Sequence, residues 1–140
     1  MRKLLLVITF IAASLGTGLA QRRAAVARPK GIAVAYFDEG RLQKPADQAV
    51  LKDFQFFLKD IEEIVKRDFP GVEFRIVKRG ELFRLQDGTA VNPQTMRTEL
   101  GYVLSAPGKR RRILNGVQTD TDFACAAAAF FQRSSAACPK

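Results

Sequence analysis

"GIAVAYFDEG", residues 31–40, is the stretch on which the fold turns. Ile32, Ala33, Val34, Ala35, Tyr36 and Phe37 form an unbroken apolar run between Gly31 and the turn-forming Asp38, Glu39 and Gly40. So short a run, with no polar alternation, predicts a strand buried on both faces and therefore the centre of a sheet.

Reading outward toward the C-terminus, "RLQKP" leads into a helix predicted over residues 47–68. Val50, Phe54, Phe57, Leu58, Ile61, Ile64 and Val65 recur three or four residues apart and make one apolar stripe, and "FPG" at 69–71 stops the helix. The stretch 72–80, "VEFRIVKRG", sets Val72, Phe74 and Ile76 against Glu73, Arg75, Lys78 and Arg79, the pattern of a strand with one wetter face at a sheet edge. A helix between two strands makes them parallel. The next stretch, "ELFRLQDGTAV" at 81–91, has two readings: a small hairpin turned by Asp87 and Gly88, or a helical turn over 81–85.

Asn92 as cap, Pro93 in the first helical position and Gly101 as the stop predict a short helix before "GYVLSAPGKRRRILNG", residues 101–116. That second stretch reads as two antiparallel strands joined at "APGK", where Pro107 presets its φ and Gly108 permits the positive φ of a type II turn. Tyr102, Val103 and Leu104 make the inner strand. The arginine-rich residues 110–115 make the outer one, since charged edges resist pairing with other chains. A last helix begins near residues 119–122 and sets Phe123, Ala127 and Phe130 on one face.

Toward the N-terminus, "QRRAAVARPK" (21–30) has four basic residues and no sustained periodicity, as expected of a flexible arm. Residues 1–20 have the layout of a secretory signal peptide: basic Arg2 and Lys3, an apolar run over 4–13, and the small residues Gly18 and Ala20. The apolar core is shorter than the roughly 20 residues of a membrane span. Residues 31–140 are then expected to form one domain. The full chain of 140 residues carries a formal +9, and loss of the leader leaves 21 basic residues (23 less Arg2 and Lys3) against 14 acidic, a net +7. An export signal places the chain in a secreted or periplasmic setting.

The predicted order is β-α-β-α-β-β-α, a small mixed sheet with helices packed on it. This order resembles the thioredoxin-like superfamily over residues 31–133, which implies that the first and third strands are central and the second and fourth are edges. "IAVAYF" and "GYVLS" are the apolar pair, and "VEFRIVKR" and "RRRILN" carry the charge. The superfamily's redox members have a Cys-x-x-Cys pair where the first strand meets the first helix, but "DEGRLQKPADQ" has no cysteine. They also have a proline before the third strand, where this chain has Glu99, Leu100 and Gly101. The resemblance extends to element order and not to redox motif.

The chain has no histidine, which excludes Ser-His-Asp and Cys-His nucleophiles and histidine-containing zinc sites unless a partner supplies the ring. Its two cysteines, Cys125 and Cys138, are too few for a four-cysteine zinc site. An even count in an oxidising compartment predicts that they form a disulfide. A straight helix would hold them roughly 20 Å apart, so the helix must end first, and Pro139 helps to end it. The competing reading makes Cys125, close to a helix N-terminus, the reactive thiol of a thioredoxin-related oxidoreductase or redox sensor.

Asp120 and Asp122 read as a helix start behind a Thr119 cap, and Glu62 and Glu63 as a solvated surface. Asp38, Glu39 and Arg41 follow the central strand at its carboxyl end, where open α/β sheets bind ligands, and are the candidate residues for a carboxylate-based hydrolase or metal-binding enzyme. Lys109, Arg110, Arg111 and Arg112 are the candidate contacts for an anionic ligand. The aromatic residues are not interleaved with the arginines, which argues against a nucleic-acid surface. The expected protein is an exported, non-catalytic binding domain without a cofactor, whose partner is a protein or an anionic envelope component.

Overall fold

The computed structural model describes residues 30–140; the leader expected at 1–20 and the arm at 21–30 lie outside the described residues, except for Lys30. The elements run β1 (Gly31–Phe37), α1 (Pro45–Asp68), β2 (Val72–Lys78), β3 (Phe83–Arg84), β4 (Ala90–Val91), β5 (Leu100–Ser105), β6 (Arg112–Asn115) and α2 (Asp120–Ala127). A π-helical turn, Ala128–Gln132, continues α2.

The chain is mixed α/β, and its main sheet has the order β2-β1-β5-β6. β1 is parallel to β2 and antiparallel to β5, which is in turn antiparallel to β6. All seven residues of β1 are buried, as the uninterrupted apolar run requires. β2 has the mixed exposure of an edge strand, but Ile76, expected on its apolar face, is exposed, and Val77 on the opposite face is the buried residue because the second core covers it.

Because successive side chains of a strand point to opposite faces, β1 serves two cores. Ala33, Ala35 and Phe37 face the helices, together with Phe54, Tyr102, Leu104 and Phe123. The Tyr102 ring lies between Phe54 and Phe123, with centroids 5.2 Å from each. Ile32, Val34 and Tyr36 face the other way, against Val77, Leu85, Val91 and Val103.

The stretch 81–91 takes the hairpin reading. β3 and β4 pair antiparallel, Leu85 N–H donates to the Thr89 carbonyl at 2.8 Å, and Gly88 has φ +83°. This hairpin covers the second face of the main sheet.

Other expectations are corrected as well. The short helix expected to follow Asn92 does not form; residues 92–99 are turns and bends. Asn92 does act as a local cap, with Oδ1 accepting from Gln94 N–H at 3.0 Å and its carbonyl from Thr95 N–H at 2.9 Å, but only one turn closes. No apolar stripe follows to hold a longer helix. Thr98 is drawn away instead, to a 2.7 Å hydrogen bond with the Tyr36 hydroxyl, and also donates toward Asn115 Oδ1 at 3.2 Å. In α1, Val50 is 43% exposed and Leu51 holds the buried position, so the stripe runs Leu51, Phe54, Leu58, Ile61, Ile64 and Val65. The helix also starts two residues earlier than expected, with Pro45 in its first turn.

Candidate functional site

The β5–β6 connection is a tight turn because Pro107 and Gly108 stand at its two central positions. Lys109 N–H donates to the Ala106 carbonyl at 3.2 Å, and Gly108 has φ +71°, the left-handed backbone a type II turn needs at that position. β6 begins at Arg112, two residues later than the sequence pattern indicates, so Lys109, Arg110 and Arg111 belong to the turn and its exit. Lys109, Arg110 and Arg111 therefore escape strand alternation, whereas Arg112, in the ladder opposite Leu104, is turned to the other face from Ile113.

Lys109 turns back onto the molecule. Its ammonium group donates to the Phe130 carbonyl and lies 5.4 Å from the Phe130 ring centroid. Arg110, Arg111 and Arg112 are exposed. Among the described residues, neither Arg110 nor Arg112 enters an ion pair. Arg112 lies opposite Leu104 and Ile113 opposite Val103 on the sheet. Ile113 is 44% exposed, which gives the arginines an apolar neighbour.

The β3–β4 turn, on the face of the sheet to which Val103 and Ile113 belong, brings a carboxylate, Asp87, beside the basic residues. Thr89 N–H donates to Asp87 Oδ1 at 2.9 Å and holds the carboxyl below the usual carboxylate range; the Thr89 side chain and the charge of Arg111 act in the same direction. Asp87, Lys109, Arg110, Arg111 and Ile113 line a hollow of about 400 Å3. Asp87 was not among the sequence-derived candidates, although the Asp-Gly turn signal marked its position. Its approach to the arginines depends on how the small hairpin packs on the sheet.

The strand-end residues form a different kind of cluster. Asp38 is 2% exposed; its Oδ1 accepts from Gly40 N–H at 3.0 Å and lies 3.6 Å from Arg79 Nε. A Cβ at Gly40 would overlap the Arg79 guanidinium in its present position, so a larger residue there would make that half-exposed side chain shift. Arg41 reaches the other way, donating to the Met96 carbonyl at 3.0 Å and to Glu99 Oε1 at 3.3 Å. Glu39 is exposed beside them. Asp38 and Arg41 thus tie the end of β1 to two remote segments. Arg79 was missed because nothing in sequence joins it to a residue so distant.

Cys125 and Cys138 are disulfide-bonded, with Cα atoms 4.5 Å apart, and no free cysteine occurs among the described residues. Such a bond is compatible with an oxidising, extracellular location. The helix ends before Cys138, as the pairing demands: Arg133 adopts the left-handed conformation (φ 51°), and Ser134 N–H reaches the Ala128 carbonyl at 3.1 Å. Thr119 caps α2 by accepting from Asp122 N–H at 3.2 Å, while Asp120 accepts from Thr121 N–H at 2.8 Å. Glu62 pairs with Lys66 one turn along α1. Among the described residues, no cluster of three or more acids or cysteines could hold a metal ion, and no helix is long and apolar enough to cross a membrane.

No protein-family model, curated protein or solved structure matches the chain.

Proposed function

We propose that this chain is an exported binding domain, thioredoxin-like in arrangement, that carries no catalytic machinery of its own and engages an anionic protein or envelope component through the basic β5–β6 turn. The observation that carries this reading is the crowding of Lys109, Arg110 and Arg111 around one hollow whose lining holds one carboxylate, Asp87, with Arg112 exposed at the start of the adjoining strand. Like charges held together on an exposed turn repel one another, and an anion spanning them relieves that repulsion while gaining several contacts. Arginine also offers a planar fork of donors that matches carboxylate and phosphate oxygens. Ile113 at the same edge supplies apolar contact. The strand order β2-β1-β5-β6, with the first and third long strands inside, supports the thioredoxin-like reading of the sheet.

The test is a salt titration of the mature protein on immobilised poly-L-glutamate and on vesicles with anionic or neutral headgroups. Wild type is expected to bind at least one anionic surface, with affinity falling as salt rises, and Arg110→Gln/Arg111→Gln/Arg112→Gln is expected to lose most of that binding. Unchanged, salt-insensitive retention of the triple variant would reject this surface as the contact.

A further inference from the structure

At the same end of the sheet, but on the far side of the β5–β6 turn, lies a cleft of about 350 Å3 walled by four separate chain segments. Lys30 enters from the start of β1, Phe69 and Pro70 from the α1–β2 connection, Pro107 and Lys109 from the β5–β6 turn, and Phe131 and Gln132 from the π-helical turn. Each wall is tied down. Lys30 N–H donates to the Gly71 carbonyl at 2.7 Å, Val72 N–H to the Phe69 carbonyl at 3.0 Å, and the Gln132 side-chain amide to the Asp68 carbonyl at 2.8 Å.

The Phe69 and Phe131 rings meet with centroids 5.9 Å apart. Phe131 lies so close over the start of β1 that a Cβ at Gly31 would overlap both its ring and the Ser105 carbonyl oxygen. The glycine that opens the central strand is thus what seats an aromatic wall of the cleft.

The lining is chemically one-sided. Two rings and two prolines make it apolar, Lys30 and Lys109 bring two positive charges, that of Lys109 from an ammonium group that also donates to the Phe130 carbonyl, and no lining residue is acidic. Given the strand order, the two lysines enter from opposite sides: Lys30 beside β2, Lys109 from the β5–β6 end. A low-dielectric floor strengthens the attraction of both charges for an anion resting on it.

We propose that this cleft binds a small amphiphilic carboxylate, its apolar body resting on the Phe131 face of the Phe69–Phe131 pair and against Pro70 and Pro107, and its carboxylate toward Lys30 and Lys109. At the roughly 30 Å3 that a water-sized group occupies, the cleft takes about a dozen non-hydrogen atoms, the size of an arylalkanoic acid. The site goes beyond the basic surface proposed above and shares only Lys109 with it.

The probe is 4-phenylbutyrate, titrated into the isotope-labelled mature protein and followed by amide chemical shifts. Saturable shifts confined to residues 30–31, 69–72, 105–109 and 131–132 are expected, with a dissociation constant on the order of 1 mM for a ligand of this size. The uncharged 4-phenylbutanol is expected to bind at least about fivefold more weakly. Lys30→Gln/Lys109→Gln should weaken phenylbutyrate by about the same factor, while Lys52→Gln/Lys59→Gln, which removes equal charge from the polar face of α1, should leave it unchanged. Equal binding of acid and alcohol, an unchanged Lys30→Gln/Lys109→Gln variant, or shifts centred elsewhere would overturn the site. Loss of binding to poly-L-glutamate or vesicles in the triple arginine variant has no bearing on these outcomes, so the two proposals fail separately.

Discussion

Tyr102 carries a hydroxyl that is buried and has no hydrogen-bond partner among the described residues. Its neighbours are the Phe54 and Phe123 rings, which accommodate the phenol body and offer nothing to its oxygen. An unsatisfied buried hydroxyl costs stability, so Tyr102→Phe is expected to stabilise the protein by about 1 kcal/mol in urea unfolding. Burial also pushes the Tyr102 phenol, and to a smaller extent that of Tyr36, above its ordinary value. The folded state therefore keeps protons that the unfolded state releases. Stability from this source is fully present below about pH 10 and is lost as the pH climbs from there through the raised folded value. Urea midpoints measured between pH 8 and pH 11 should fall less steeply for Tyr102→Phe than for wild type. Gly101 presents the opposite case. An added Cβ would press on the Leu114 carbonyl oxygen and come within 2.8 Å of the Tyr36 hydroxyl, so Gly101→Ala is expected to cost about 1 to 3 kcal/mol.

The disulfide joins Cys125, within α2, to Cys138, a sequence separation of 13, and closes a loop that contains Phe130, Phe131 and Gln132. In the chain-entropy account, closing a loop of this length contributes about 3 kcal/mol by restricting the unfolded chain. Cys125→Ser/Cys138→Ser is expected to lose about that much in urea unfolding, and the oxidised wild type, unfolded without reductant, is expected to show no thiol reactive toward an aromatic disulfide reagent. A reactive thiol there would favour the redox reading of Cys125. The pairing was legible from compartment, cysteine count and helix geometry. The π-helical turn and the left-handed Arg133 that carry it out were not, because no glycine or other residue type marks a wider turn. The missing helix after Asn92 makes the same point: a cap and a first-turn proline are start signals, and without an apolar stripe behind them one hydrogen-bonded turn is all that forms.

Seen whole, the sheet has two cores, one against the helices and one against the small β3–β4 hairpin, and β1 belongs to both. Coupling through β1 predicts cooperative unfolding. Leu85→Ala, on the hairpin side, is expected to cost about 2 to 4 kcal/mol and still give a single transition in which far-ultraviolet and aromatic circular dichroism coincide. Separate transitions would mean that the hairpin layer melts independently. What the sequence by itself determined was local and periodic: a central strand from an uninterrupted apolar run, an edge strand from alternation, a long helix from a three-to-four spacing, a type II turn from Pro107 and Gly108, and a cysteine pair. Each follows from backbone sterics or from which face of one element must leave water. Tertiary structure alone decided that Arg79 meets Asp38, that Asp87 comes beside Arg111, and that Lys30, Phe69, Lys109 and Phe131 enclose one cleft. Those meetings join segments far apart in the chain, and they depend on how layers pack across the sheet, which no spacing within a single element encodes.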